Sequence, residues 1–158
     1  KRLLSRMVDS LKYQDEVELA LRVYGHQSIK TDRNCKDTRL EVPFSQSNHA
    51  AIKEKIKNLR PKGTTLIAYS LQEAAYDFPK SPGVRNIIIL ITDGIEECDG
   101  DPCAVSTALQ KQPCLLAQTS VFEKLTFRYC PHDPKEDSYM YMMQPHRELL
   151  KHRHPLLV

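Results

Sequence analysis

The sequence predicts an α/β fold in which helices cover both faces of a mainly parallel β-sheet. Helical and strand periodicities alternate along residues 1–111, which is typical of layered α/β domains. The continuous apolar run at residues 87–91 is bounded by turn-forming residues, as in a strand buried on both faces of a parallel sheet. Asp93 follows this run at the carboxyl end of the strand, where ligands bind in such sheets.

The spacing of apolar residues predicts each element of the first half of the chain. Helical spacing predicts helices within residues 1–12, 47–59 and 67–78. Alternation of apolar and polar residues predicts strands over residues 17–24 and 38–44. The stretches between these elements are polar or contain Gly and Pro, and we therefore expect loops there.

Single residues predict where one of these strands lies in the sheet and where two helices begin. Pro43 cannot donate a ladder hydrogen bond, so residues 38–44 are expected to form an edge strand or to lie at a strand end. Ser47 or Asn48 is expected to cap the second helix. Asp101 followed by Pro102 predicts the beginning of another helix.

Composition and charge exclude two classes of function. The chain has 158 residues, which is enough for one domain. The net charge is +3 and the basic residues are scattered, so we expect no nucleic acid partner. No apolar run approaches the roughly 20 residues that span a bilayer, so we expect no membrane span.

Two segments carry a family resemblance. LRPKGTTLIAYSLQEA, at residues 59–74, and RNIIILITDG, at residues 85–94, resemble the von Willebrand factor type A domain in its bacterial form. This resemblance implies a Rossmann-like three-layer sandwich. It also implies a metal-ion-dependent adhesion site, which holds Mg²⁺ or Mn²⁺, with Ca²⁺ as a third candidate. The open position of that cation binds an acidic residue of a partner protein.

The resemblance assigns the site residue by residue. Asp93 corresponds to the aspartate that ends the buried strand of the family, and Thr65 corresponds to its threonine. If the correspondence with the family's motif is shifted by one residue, Thr64 rather than Thr65 is the threonine ligand. Gly63 and Gly94 correspond to the backbone positions at which the two metal loops turn.

The sequence departs from the family at its beginning. The motif DxSxS, which ends the first central strand of the family and supplies most of the ligand side chains, is absent. We expect the metal site to be incomplete and the natural domain to begin upstream of Lys1. The missing strand would leave its neighbours, residues 17–24 and 87–91, with unpaired edges. Since each buried unpaired backbone group costs about 1–3 kcal/mol, we expect this chain to be marginally stable.

An acidic segment follows Asp93. Its spacing does not fit an EF-hand loop, so we expect a solvated acidic loop rather than a second cation site. The acidic residues are Glu96, Glu97, Asp99 and Asp101.

The chain contains five cysteines, an odd number. Cys98 and Cys103 are able to close a small disulfide ring, or one of the two is able to pair with Cys35, and reduced thiols are the alternative. A disulfide requires an oxidising compartment, and we favour an extracytoplasmic or cell-surface location over the cytoplasm.

Residues 112–158 do not continue the α/β pattern. The segment CLLAQTSVF, at residues 114–122, is able to form one strand, and we expect a poorly ordered tail after it. A shifted reading frame is one hypothesis for this change. The sequence thus predicts a partial von Willebrand factor A-like domain at residues 1–111 and an atypical segment at residues 112–158.

The expected function is that of a non-enzymatic adhesion or protein-binding module. One alternative is a metal-dependent phosphotransferase or hydrolase with Asp93 at its active site. That reaction requires a second acid and a general base at neighbouring strand ends, and the sequence offers no such pair. A second alternative, implied by the family resemblance, is a regulatory partner of an ATPase.

Overall fold

The computed structural model describes residues 1–13, 17–80, 86–110, 114–120 and 154–157. In chain order, these residues form α1 (Arg2–Leu11), β1 (Val17–Tyr24), a short 3-10 helix (Lys30–Asp32), β2 (Thr38–Ser45), α2 (His49–Asn58), α3 (Ile67–Asp77), β3 (Asn86–Thr92), α4 (Pro102–Gln110), β4 (Cys114–Ser120) and β5 (His154–Leu157).

The five strands form one sheet in the order β2-β1-β5-β3-β4. The β1–β2 pair is antiparallel, and the β1–β5, β5–β3 and β3–β4 pairs are parallel. The predicted α/β fold with a mainly parallel sheet is therefore confirmed. Pro43 lies in β2 at the edge of the sheet, as its missing amide proton predicted.

Two apolar clusters hold the helices to opposite faces of the sheet. On one face, α1 and α2 contribute Val8, Ile52 and Ile56, which pack with Leu19 and Leu21 of β1. On the other face, the helices α3 and α4 pack against β1 and β3, and the buried residues of this cluster are Ala20, Ile67, Leu71, Ala74, Phe78, Ile88, Leu90 and Leu109. Each fully buried aliphatic side chain stabilises the fold by about 1.5–3 kcal/mol.

The central position next to β1 and β3, where the DxSxS strand of the family is missing from this sequence, is partly occupied by a strand from the carboxyl-terminal part of the chain. The strand β5 lies between β1 and β3, where Leu156 pairs with Leu19 on one side and with Ile87 on the other. Residues 154–157 belong to the segment expected to be a tail. A strand of four residues is too short to show a period of two, so no sequence pattern indicated it.

The caps of two helices differ in their chemistry. Asp101 Oδ1 accepts hydrogen bonds from the amides of Cys103 and Ala104, which confirms its capping role at α4. Asn48 precedes α2, but its side chain makes no capping bond. Asn48 is the N-cap residue, as predicted, but its Nδ2 atom donates to the carbonyl oxygens of Leu19 and Pro43 in place of a capping bond.

Candidate functional site

Two loops meet at the carboxyl end of β3. One loop leads into α3 and carries Thr64 and Thr65, and the other begins at Asp93. A Cβ atom built on Gly94 would lie 3.0 Å from Thr65 Oγ1, so the Thr65 hydroxyl is adjacent to the residue that follows Asp93. The structure therefore brings the two predicted ligand segments together.

A cavity of about 300 Å³ lies beside these loops. Asp93, Thr64 and Thr65 all line it. The side chain of Asp93 is exposed, whereas Thr64 is buried. Among the residues that the structure describes, the buried Thr64 hydroxyl has no hydrogen-bond partner. A buried polar atom without a partner is uncommon, and this one faces the same cavity as Asp93.

The acidic segment after Asp93 ties the two loops together. Glu97 Oε2 accepts a hydrogen bond from the Thr65 amide at 2.9 Å, and the Glu97 amide donates to the Thr65 carbonyl at 2.9 Å. Glu96 accepts from the amides of Ala68 and Cys98 with its two carboxylate oxygens. The expectation of a solvated loop is therefore wrong for Glu96 and Glu97, which hold the two loops together.

The electrostatic surroundings of Asp93 are negative. Hydrogen bonds from Lys30 and from the Thr65 amide hold the pKa of Glu97 below its ordinary value. Burial raises the pKa of Tyr24, and the negative charges of Asp93 and Glu96 raise it further, against the lowering effect of its hydrogen bond to Thr92.

Gly25 supports the site through its backbone. It directly follows β1 and has a φ angle of +60°, which favours glycine. Its carbonyl accepts hydrogen bonds from the amides of Lys62 and Gly63. A Cβ atom on Gly63 would lie 3.1 Å from Gly25 Cα, so the two backbone segments approach closely there. The sequence predicted Gly63 as a position at which a site loop turns, but it did not predict a role for Gly25. The available indication for Gly25 was its position directly after a predicted strand.

A disulfide joins the acidic loop to the rest of the domain. Cys35 and Cys98 are bonded, with a Cα–Cα distance of 5.6 Å. Of the pairings that the sequence left open among Cys35, Cys98 and Cys103, the structure contains the one between Cys35 and Cys98. Cys103 is also disulfide-bonded. The Cys35 bridge links the loop before β2 to the loop that begins at Asp93.

The possible ligand set at this edge consists of oxygen atoms. Within the described ranges, no three His, Cys, Asp or Glu side chains come together in a way that could hold a metal ion. The oxygen-bearing side chains that line the cavity at this edge include those of Asp93, Thr64 and Thr65. Within the same ranges, no helix has the length and apolar character needed to cross a bilayer.

Comparison with known proteins identifies the family. The profile of the von Willebrand factor type A domain matches residues 1–121, which is most of the chain. The chain belongs to the von Willebrand factor type A family. Domains of this family are protein-interaction modules that are generally non-enzymatic, and they often bind a divalent metal at an adhesion site.

Relatives of this von Willebrand factor type A domain occur in Bacillus subtilis (strain 168). The "Uncharacterized protein YwmC" is 27% identical over 116 residues, which are 70% of this chain and 50% of the relative. The "Uncharacterized protein YwmD" is 30% identical over 94 residues, which are 56% of this chain and 42% of the relative. This chain therefore spans about half the length of the curated relatives that it matches.

A solved structure supports the fold of this von Willebrand factor type A domain. The conserved hypothetical protein BatB from Bacteroides thetaiotaomicron superposes with a TM-score of 0.56 at 23% identity. The superposition covers 74% of this chain and 52% of BatB. At this identity the likeness concerns the fold alone.

Proposed function

We propose that Asp93 and Thr65 hold a divalent cation, and that this cation binds an acidic side chain of a partner protein. One observation carries the proposal. The Thr65 hydroxyl lies beside Gly94, in a cavity that Asp93 and the unpaired Thr64 hydroxyl also line. Carboxylate and hydroxyl oxygens from two separate loops therefore face one space.

The donor set fits a hard cation. Mg²⁺, Mn²⁺ and Ca²⁺ prefer oxygen ligands, and none of the proposed donors is sulfur or nitrogen. Asp93 contributes one negative charge, so a bound divalent cation keeps a net positive charge that attracts a partner's carboxylate. Thr65 is the proposed hydroxyl ligand, with Thr64 as its alternative. Gly63 and Gly94 allow the two loops to approach each other.

The surface around Asp93 suits contact with a protein. Ile95, two residues after Asp93, is 82% exposed. Ile29 is 56% exposed, and the adjacent Lys30 pairs with Glu97 of the same acidic loop. These exposed aliphatic side chains offer apolar area that a bound partner protein would cover.

The proposal is tested by titrating the protein with Mn²⁺ and measuring the free ion by electron paramagnetic resonance. We expect saturable binding by the parent and loss of binding by Asp93→Asn. Asp99→Asn removes an equal charge from an exposed position in the same loop and is expected to bind like the parent. Equal Mn²⁺ binding by the parent and Asp93→Asn would overturn the proposal.

A thermal melt tests the same site by its effect on stability. Metal bound only to the folded chain stabilises it by about 2.7 kcal/mol at a concentration one hundred times Kd. We expect Mn²⁺ to raise the melting temperature of the parent relative to EDTA, and to leave that of Asp93→Asn unchanged. A partner's role is then tested with labelled peptides that differ by one Asp-to-Asn change. We expect only the Asp peptide to bind in Mn²⁺.

A further inference from the structure

The fold separates the charges of this chain onto the two faces of its sheet. Residues 1–12 and 49–62, which contain α1, α2 and the beginning of the loop after α2, include nine basic and two acidic residues. Residues 67–78 and 93–110, which contain α3, α4 and the loop that begins at Asp93, include seven acidic residues and no basic residue. Since these two pairs of helices pack on opposite faces, one face is basic and the other is acidic.

The basic face reaches the candidate cation site along one border, which we call the basic rim. Lys1 Nζ donates to the carbonyl oxygens of Lys57 and Leu59, so the beginning of α1 lies beside the end of α2. Leu59 and Pro61 line the same cavity as Asp93, and the basic rim therefore borders the site. The members of the basic rim are all exposed, and they are Lys1, Arg2, Lys57, Arg60 and Lys62.

The acidic face borders the same site from the other side, along the acidic rim. This rim belongs to the loop that begins at Asp93, and it is held against the beginning of α3 by the hydrogen bonds between Glu97 and Thr65. Within the described residues, the pair between Lys30 and Glu97 is the one ion pair that involves either rim. The members of the acidic rim are Glu96, Glu97, Asp99 and Asp101.

Two rims of opposite charge select one class of partner. Stable complexes place positive potential against negative potential, so each rim favours the opposite charge on whatever covers the site. An anionic membrane or a nucleic acid presents one sign of charge, and it would be attracted by the basic rim but repelled by the acidic rim. A protein surface carries both signs side by side, and it is the partner that is able to match both rims at once.

We infer that the partner protein has a polarised contact surface, with acidic residues on one side of its metal-bound acid and basic residues on the other. The acidic side lies over the basic rim, and the basic side lies over the acidic rim. This inference rests on the proposed function, because the metal-bound acid places the partner between the two rims. The rims then fix the orientation of the partner, which one carboxylate on a cation leaves open.

The test compares three peptides of identical composition, with blocked ends, on the intact 158-residue chain in Mg²⁺ at low ionic strength. Two are polarised, Glu-Glu-Gly-Asp-Gly-Lys-Lys and its reverse Lys-Lys-Gly-Asp-Gly-Glu-Glu, since the partner's chain direction is open. The third, Glu-Lys-Gly-Asp-Gly-Lys-Glu, is neutral on each side of its Asp. Titrations followed by ¹⁵N–¹H NMR give the affinities. We expect one polarised peptide to bind about tenfold more tightly than the other two, and added salt to reduce this advantage.

Charge-reversal variants locate the effect on the protein. Lys57→Glu combined with Lys62→Glu reverses two exposed charges of the basic rim, and should remove the advantage of the preferred peptide. Lys12→Glu combined with Lys80→Glu makes the same change in charge at the opposite edge of the sheet, where α1 and α3 end, and should bind like the parent. Circular dichroism establishes that both variants are folded, and the Mn²⁺ titration establishes that both still bind the cation.

Three results would overturn the inference while leaving the cation site in place. The first is equal affinity of a parent that binds Mn²⁺ for all three peptides. The second is an advantage of the polarised peptide that persists when Lys57 and Lys62 are reversed. The third is self-association of the parent that the same variant abolishes, because a second copy also carries both charges and would then be the occupant. An absence of Mn²⁺ binding by the parent would instead overturn the proposed function, and this inference with it.

Discussion

Thr65 and Glu97 exchange two hydrogen bonds, one from the Thr65 amide to the Glu97 carboxylate and one from the Glu97 amide to the Thr65 carbonyl. The pair joins the loop before α3 to the loop after β3. It therefore fixes the separation between the Thr65 hydroxyl and Asp93, on which the proposed cation site depends. Groups that orient ligands without touching the metal commonly affect affinity almost as strongly as the ligands themselves.

Glu97→Ala is expected to weaken Mn²⁺ binding by about tenfold, because it removes the carboxylate that holds the Thr65 amide. The measurement is the Mn²⁺ titration described above. Glu54→Ala removes an exposed carboxylate from α2 and should leave the affinity unchanged. An unchanged affinity in Glu97→Ala would mean that the reciprocal pair does not position the ligand loop.

Gly25→Ala is expected to destabilise the fold by about 1–3 kcal/mol. The residue has φ +60°, and an added Cβ would lie 2.7 Å from the Thr64 carbonyl oxygen, which is a backbone atom. Urea unfolding of the parent and the variant gives the difference. The reciprocal control is Arg33→Gly, at φ 45°, which should cause no loss because glycine tolerates that conformation. Equal stability of the parent and Gly25→Ala would contradict the predicted crowding.

Replacing both Cys35 and Cys98 by Ser is expected to lower the free energy of unfolding by about 2–4 kcal/mol. The bridge closes a loop with a sequence separation of 63, so its loss gives the unfolded chain more freedom. Denaturant unfolding under oxidising conditions gives the value. We also expect weaker Mn²⁺ binding, since the bridge restrains the loop that begins at Asp93. A variant as stable as the parent would show that this bridge adds little restraint.

The acid stability of the fold is expected to depend on Glu41. Its side chain is only 2% exposed and forms ion pairs with Arg39, Lys55 and, when that residue is protonated, His26. Burial alone would raise the pKa of Glu41, but the hydrogen bonds from these three residues outweigh it and lower the pKa from 4.5 to about 2.

The sign of this effect follows from the lowered pKa. Glu41 stays ionised to a lower pH in the folded state than in the unfolded state. Its contribution to the free energy of unfolding is therefore present above pH 4.5 and is lost as the pH falls towards 2. Glu41→Gln should be less stable than the parent by about 1–3 kcal/mol at neutral pH. Urea unfolding across this pH range should show the difference shrinking on acidification. A difference that is independent of pH would rule out the charge of Glu41 as its cause.

The parts of the fold that the sequence predicted have long or distinctive local patterns. The helical and strand periods of residues 1–111 extend over enough positions to identify elements, and a buried run that ends at Asp93 marks a strand end. The two glycine-containing loops placed Thr65 and Asp93 at one edge of the sheet. These features are local, so a single sequence was sufficient to predict them.

The parts that the sequence did not predict depend on contacts between distant residues. The sequence predicts Glu96 and Glu97 to be solvated, because nothing local shows their hydrogen bonds to the loop before α3. Their partners there are the amides of Ala68 and Thr65, which lie 28 and 32 positions away in the sequence. The pairing of Cys98 with Cys35 likewise depends on how two loops approach each other. The position of β5 could not be predicted because four residues carry too little pattern, and their partners, β1 and β3, lie far upstream in the sequence.

The place of β5 also has a consequence for biosynthesis. Both strands that flank it, β1 and β3, are translated well before residues 154–157. A growing chain on the ribosome therefore carries two half-sheets, β2–β1 and β3–β4, whose inner edges pair, among the described strands, with β5 alone. Exposed strand edges of this kind recruit other chains and promote aggregation. Nascent forms of this domain should therefore depend on molecular chaperones until β5 has been synthesised and joins the two halves.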